Sequence, residues 1–334
     1  MKKDLVQLAF ALVQAKSNPN HVFSYKEKTF TVEQLNQALR DEVFKLASNY
    51  NDFRRNKLDI FELVQQTVDL VLPNRVRQAI GQFADVRTFA QGQKPIFNLV
   101  KGRSRAKSFV TKVGLSGIYE SFELDRAQIE VPSIAYGGAA RLELERFLDG
   151  VFDFSDFTDI IIEGLEDKIY YEIQTALVAA ISSMPSINTY SGSAFDDAEM
   201  ITIINAMRAY GNIINIFCTP VFAGTIIPDS GFVGDMEKAD LRNQGYVGRF
   251  YGANVIILPQ SFTDETNATT VFDDSYAFII PSGNEKIVKV ALEGQTIVDD
   301  VTNADRSMEF QAYKKMGSAI CYYHTCGAFT NTAL

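Results

Sequence analysis

Histidine, cysteine and long apolar runs are all scarce in this chain, and each scarcity excludes something. Among 334 residues there are two histidines, His21 and His324. A zinc enzyme or a Ser–His hydrolase needs a properly partnered histidine, so both classes start at a disadvantage. Three cysteines make no disulfide framework and fit a reducing compartment. No apolar run reaches the roughly 18–20 residues of a membrane span. The longest, Ile213 to Ile227, is broken by Asn215, Thr219, Pro220 and Gly224. Basic residues number 32 against 41 acidic ones, for a net charge of −9. That balance disfavours a dedicated nucleic-acid reader, because phosphate affinity comes from Lys and Arg. Lys2-Lys3 before an apolar segment has the outline of a leader. But Asp4, Gln7 and Gln14 interrupt it, and Leu5, Leu8, Ala9, Leu12 and Val13 follow helical spacing.

What is present is an ordinary globular composition, 46% hydrophobic. The length passes the roughly 250–300 residues at which one core stops growing, so two or more structural units are expected. The N-terminal part reads as helices: residues 4–16, a helix opened by a Thr31/Gln34 capping box, and a third over 57–72 that stops before Pro73. Residues 97–131 alternate like strands around a turn at Leu115-Ser116-Gly117, which predicts a long two-stranded ribbon. Such a hairpin is marginal alone, so another surface must cover it. From 155 to 183, Phe157, Ile161, Leu165, Ile169, Ile173, Leu177 and Ile181 recur every four residues. That predicts one long helix, with Gly164 at a close contact or a bend. A helix from Asp197 to Tyr210 turns Met200, Ile203, Ile204 and Met207 inward. Strands are expected at 213–218, 255–258, 276–280, 286–292, 307–314 and 318–325. Helices first and strands late make the fold class α+β.

The search for chemistry yields little. Cys321-Tyr322-Tyr323-His324-Thr325-Cys326 invites a metal reading, but alternation along a strand leaves only two of the three candidate ligands on one face. Small buried sulfurs are the better reading. Gly245, Gly248 and Gly252 have neither dinucleotide-fingerprint nor P-loop spacing and read as turn glycines. Asp196-Asp197 and Asp299-Asp300 read as caps and turns. No catalytic group, metal site or cofactor is expected.

Charge is the feature that stands out. From Arg87 to Lys112 run seven bases and no acid: Arg87, Lys94, Lys101, Arg103, Arg105, Lys107 and Lys112. From Asp149 to Asp167 run seven acids and no base: Asp149, Asp153, Asp156, Asp159, Glu163, Glu166 and Asp167. One reading is two unrelated solvated faces. The other is that the basic ribbon of one subunit lies on the acidic helix start of a neighbour, through Lys101, Arg103, Arg105, Lys107 and Lys112 against Asp153, Asp156, Asp159 and Glu163. A nucleic-acid ribbon is a weaker third, since no aromatics interleave with the bases.

The order of pieces resembles the major capsid proteins of tailed bacteriophages, the Hong Kong 97-type shell fold. Gly245-x-x-Gly248-x-x-x-Gly252-x-x-Val255 ahead of a strand is similar to a pattern common in that family. Phe217-Cys218-Thr219-Pro220 is similar to its strand-then-helix entry. The resemblance implies an N-terminal helical arm at 1–94, an extended loop at 95–135, and a peripheral domain with a spine helix at 136–196. It further implies an axial domain at 197–272 and remaining peripheral and axial strands at 273–334. The implied function is non-enzymatic: a subunit that self-assembles as pentamers and hexamers into an icosahedral virion shell around double-stranded DNA. That DNA is enclosed without sequence-specific binding and without a membrane. Scaffolding, portal and decoration proteins are the implied partners, and the host cytoplasm the place of assembly. Competing readings are an encapsulin-type nanocompartment shell, another virion component and, from a different class, a soluble hydrolase.

Overall fold

The computed structural model describes residues 6–12, 23–25, 28–46, 50–100, 126–142, 154–227, 241–263, 266–283, 285–302 and 308–334. At the N-terminal end, residues 6–12 are helical and bury Val6, Leu8, Ala9 and Leu12. A short hairpin follows, β1 (Phe23–Tyr25) with β2 (Lys28–Phe30). The helix α1 (Val32–Leu46) then starts as expected. The Gln34 amide N–H donates to Thr31 Oγ1, and the Thr31 N–H donates to Gln34 Oε1. Leu35, Leu39 and Val43 form its buried stripe.

The next helix, α2 (Tyr50–Ile80), overturns the expected stop at Pro73: the proline lies inside it. An interior proline costs about 3 kcal/mol through a lost hydrogen bond and a ring clash. Here Val71, Leu72, Val76 and Ile80 are all buried around it, and that burial outweighs the cost. The Asn74 side-chain amide also donates to the Leu70 carbonyl, 3.0 Å away, one turn back.

After α2 come β3 (Ala84–Phe89), β4 (Ile96–Val100), β5 (Arg126–Glu130) and β6 (Ile134–Leu142). The long helix α3 (Phe154–Ile181) buries Leu165, Ile169, Ile173 and Leu177 of the expected stripe. Gly164 is not at a close contact: a Cβ built there meets nothing within 4 Å. Next are β7 (Thr189–Gly192), α4 (Asp197–Arg208), β8 (Ile214–Cys218) and α5 (Pro220–Thr225). Asp196 caps α4 by accepting the Ala198 and Glu199 amides, and the four expected apolar residues of α4 are buried. The short β9 (Arg249–Phe250) turns into β10 (Ala253–Ile257) through Tyr251 and Gly252, both at positive φ, 47° and 77°. A two-residue turn of that hand matches the twist of a hairpin.

The last strands are β11 (Tyr276–Pro281), β12 (Val288–Thr302), β13 (Met308–Ile320) and β14 (Gly327–Asn331). Two expectations fail here. The strands expected at 307–314 and 318–325 are not separate: Met308–Ile320 is one continuous β13. Residues 321–326 are no strand at all: Tyr322 is left-handed (φ 60°) and Tyr323–Thr325 form a 3-10 turn. The alternation argument about Cys321 and His324 therefore does not apply.

Two sheets organise these elements. One has the order β3–β12–β13–β6, with β3 parallel to β12 and the rest antiparallel. Both faces of β12 are covered. Val288, Val290 and Leu292 join the core built with α2 and α3, while Ala291 faces Phe97 and Val131 beside β4 and β5. The other sheet has the order β7–β14–β11–β8–β10–β9. One face of it packs on α4 through Ile214, Ile216 and Ile279; the other returns Phe217 and Phe278 to the first core. The strands after 273 thus divide between the two sheets.

Candidate functional site

The ribbon is where the fold leaves something unfinished. Strands β4 and β5 pair antiparallel, Ile96 opposite Glu130 and Val100 opposite Arg126, and form a two-stranded sheet of their own. The anchor at their base is Phe97, fully buried. It meets Phe89 edge-on at 5.5 Å, with Val131, Ala291 and Ala319 around it. The Arg87 guanidinium stands 5.1 Å from the Phe97 ring centre and Lys289 Nζ 5.9 Å. A cation near an aromatic face gains electrostatically from the ring quadrupole. One pair further out, Gln128 donates to Asn98 at 3.2 Å; at the base, Lys94 pairs with Glu130 at 3.6 Å, and all four side chains are exposed.

The two charge runs are therefore partly spent inside the chain. Arg87 pairs with Asp85 at 2.8 Å and Lys94 with Glu130. The other five bases, Lys101, Arg103, Arg105, Lys107 and Lys112, lie outside the described residues. Of the acids, Asp149, Asp153 and the side chain of Asp156 also lie outside them. Asp159 and Glu166 turn toward α2, where Arg75 stands 4.0 and 3.9 Å away. Burial raises the Glu166 carboxyl above the ordinary range, against the pull of the Tyr170 hydroxyl and Arg75. Asp167 accepts from Ser261 at 2.7 Å. Glu163 is exposed on α3.

Two other groups of residues were not foreseen. Lys314, 2% exposed, reaches Asp69, Thr296 and the Gly294 carbonyl. Glu293 accepts from Ser133 and Gly92 at the feet of the ribbon. The break in alternation at Glu293-Gly294-Gln295-Thr296 was their one sequence signal, since a glycine inside a strand pattern marks a bulge.

The cysteine-rich segment holds no ion-binding arrangement. Cys321 and Cys326 are buried. Asn188 donates to the His324 and Cys326 carbonyls, at 3.0 and 3.2 Å. Among the described residues no three His, Cys, Asp or Glu groups come together as a metal site, and no helix is long and apolar enough to cross a membrane.

No curated protein matches the chain. Among solved structures, a chain of the satellite phage P4 procapsid including the size determination (Sid) protein superposes with a TM-score of 0.53. It is 9% identical, with 79% of this chain and 90% of that chain covered. A chain from Microbacterium phage Oxtober96 gives 0.50 at 10% identity, covering 75% and 90%. One from Gordonia phage Cozz gives 0.50 at 11%, covering 75% and 86%. At such identities the likeness shows the fold, which is the Hong Kong 97-type shell fold. The sequence itself matches the family described as "SPbeta prophage-derived putative capsid protein YonB" over residues 10–328. The chain belongs to that prophage capsid protein family, and it is a structural subunit of a virion shell.

Proposed function

We propose that the chain is the major subunit of an icosahedral phage head, arranged as pentamers and hexamers and enclosing double-stranded DNA without reading its sequence. The observation that carries this is the ribbon. Its base is fixed to the body by one small apolar cluster, Phe97 and Val131 with Ile129 beside them, and β4 and β5 pair with no third strand among the described residues. A pair of strands in that state gains stability when a neighbouring copy covers it. Five cations follow β4 in sequence, and Asp153, Asp156, Asp159 and Glu163 lie in sequence just before and within the first turns of α3. Single exposed pairs contribute only about 0–1 kcal/mol. Repeated at every contact of a shell, they set register and approach direction. Catalysis plays no part in this role. Scaffolding, portal and decoration proteins and assembly in the host cytoplasm belong to the same reading.

The test is to express the protein alone and image it, then to reverse Lys101, Arg103 and Arg105 to Glu. Closed shells are expected from the first and blocked or misdirected assembly from the second. Reversal of Asp153 and Asp156 to Lys restores part of it. Normal shells from the triple reversal would remove the charge pairing. A compact single-copy species from the unmodified protein would remove the shell reading itself. Particles filled with a cargo enzyme instead of a genome in the native host would assign the shell to a nanocompartment.

A further inference from the structure

Strand β12 loses register with β13 between Glu293 and Ile297: Glu293 lies opposite Lys315 and Ile297 opposite Tyr313. Three residues on β12 therefore face one on β13. Gly294, at φ 70°, allows the bend. The bulge is held on both faces of the sheet. On the helix face, Asp69 of α2 accepts the Thr296 amide at 3.0 Å and its hydroxyl at 2.7 Å, and Gln65 donates to Gln295 at 3.0 Å. On the ribbon face, Glu293 is 8% exposed. Its carboxylate accepts the Gly92 amide at 3.4 Å and the Ser133 hydroxyl, and Lys315 Nζ stands 3.9 Å away. Gly92 precedes β4 and Ser133 follows β5, so one carboxylate holds both feet of the ribbon.

We propose that Glu293 is the positioning residue of the ribbon, fixing the direction in which it leaves the body. Phe97 and Val131 attach the ribbon through one small apolar cluster, and apolar contact is non-directional, so it does not by itself fix the angle at which the ribbon leaves. Two hydrogen bonds to one ionised group, on opposite sides of that cluster, fix it, and bonds to a charged acceptor are the stronger kind. The Ser133 hydroxyl holds the Glu293 carboxyl below the ordinary range despite its burial, with help from Gly92 and Lys315. Because the far end of the bulge is tied to Asp69, the ribbon's direction is referred to α2. The role in assembly rests on the reading that the ribbon reaches a neighbouring copy; the role in holding the feet does not.

Two variants test it, Glu293→Gln and Ser133→Ala, with Lys94→Ala as an exposed control on the same ribbon. Hydrogen exchange is followed at residues 94–100 and 126–133 of the unassembled full-length subunit, against α4 in the other sheet. Both variants are expected to speed exchange at the feet about tenfold or more, leaving α4 and the control unchanged. Exchange unchanged in both variants would overturn the positioning role. Shells grown from the same variants are then imaged. Open or mixed-size particles support the role in assembly, and uniform normal shells with loosened feet overturn it. The exchange result holds even where the Lys101, Arg103 and Arg105 reversal yields normal shells, which separates the two claims.

Discussion

Lys314 Nζ lies 2.5 Å from Asp69 Oδ1, joining the middle of β13 to the middle of α2 across 245 residues of sequence. The lysine is almost wholly buried and the carboxylate is 22% exposed. Removing one partner of a buried pair strands the other's charge, which costs about 3–5 kcal/mol. Asp69→Ala is therefore expected to destabilise the unassembled subunit by that order in urea. The double variant Asp69→Leu with Lys314→Met is expected to recover the part due to the stranded charge, but not the about 1–3 kcal/mol from the buried Thr296 amide and hydroxyl, which lose their acceptor in either variant. Additive losses in the double variant would show that the pair is not the source of the effect.

Gly164 offers the opposite sign. It sits inside α3, is exposed, and has open space where a Cβ would go. Glycine in a helix interior is about 1 kcal/mol less favourable than alanine, mostly through the freedom of the unfolded chain. Gly164→Ala should raise the urea midpoint of the subunit by an amount equivalent to about 1 kcal/mol. A lower midpoint would mean that the position is strained in a way its geometry hides.

The three cysteines are expected to be silent. Burial pushes Cys218 and Cys326 up to about 12. Burial likewise takes Cys321 to about 11, with Lys289 opposing. The thiolate is the reactive form, so at pH 8 a disulfide reagent should label the folded chain more than about a hundredfold slower than a free thiol. Unfolding should then release three thiols at once. Fast labelling of one thiol in the folded state would contradict the burial of that residue.

What was legible in the sequence was local. The Thr31/Gln34 box, the Met200–Met207 stripe and the four-residue recurrence through α3 depend on neighbours within a turn or two, and all three are in the fold. Pro73 misled because its local cost is overridden by burial from elements far away in sequence. The bulge at 293–297 left one local mark, Gly294 inside a strand pattern, but what its side chains hold, the buried Lys314 and the feet of the ribbon, could not be read. Their partners lie 160 to 245 residues away, and nothing within a short window says that Glu293 meets Ser133 or that Lys314 meets Asp69. The turn at 321–326 misled in another way: a run of apolar and aromatic residues looks the same in a strand and in a buried turn.

Acid gives a last test, on Glu293. Its carboxyl is held below the ordinary value of 4.5 in the folded chain, chiefly by the Ser133 hydroxyl. A lowered folded value means that its contribution is complete above the unfolded value and is lost as pH falls through the folded one. Its strand neighbours are Phe89 on β3 and Lys315 on β13. Gly92 and Ser133, which bond the carboxylate, do not titrate, so the change in those two bonds is the carboxylate's own. As pH falls below the ordinary carboxylate range the feet of the ribbon should therefore loosen, seen as faster exchange at residues 126–133 after correction for the intrinsic pH dependence. Other carboxylates protonate over the same range, so the informative quantity is the difference from Glu293→Gln, which has no carboxylate to lose and should already be loose at neutral pH. If the two proteins kept the same gap in exchange from pH 7 down to pH 3, the charge of Glu293 would not be what holds the ribbon.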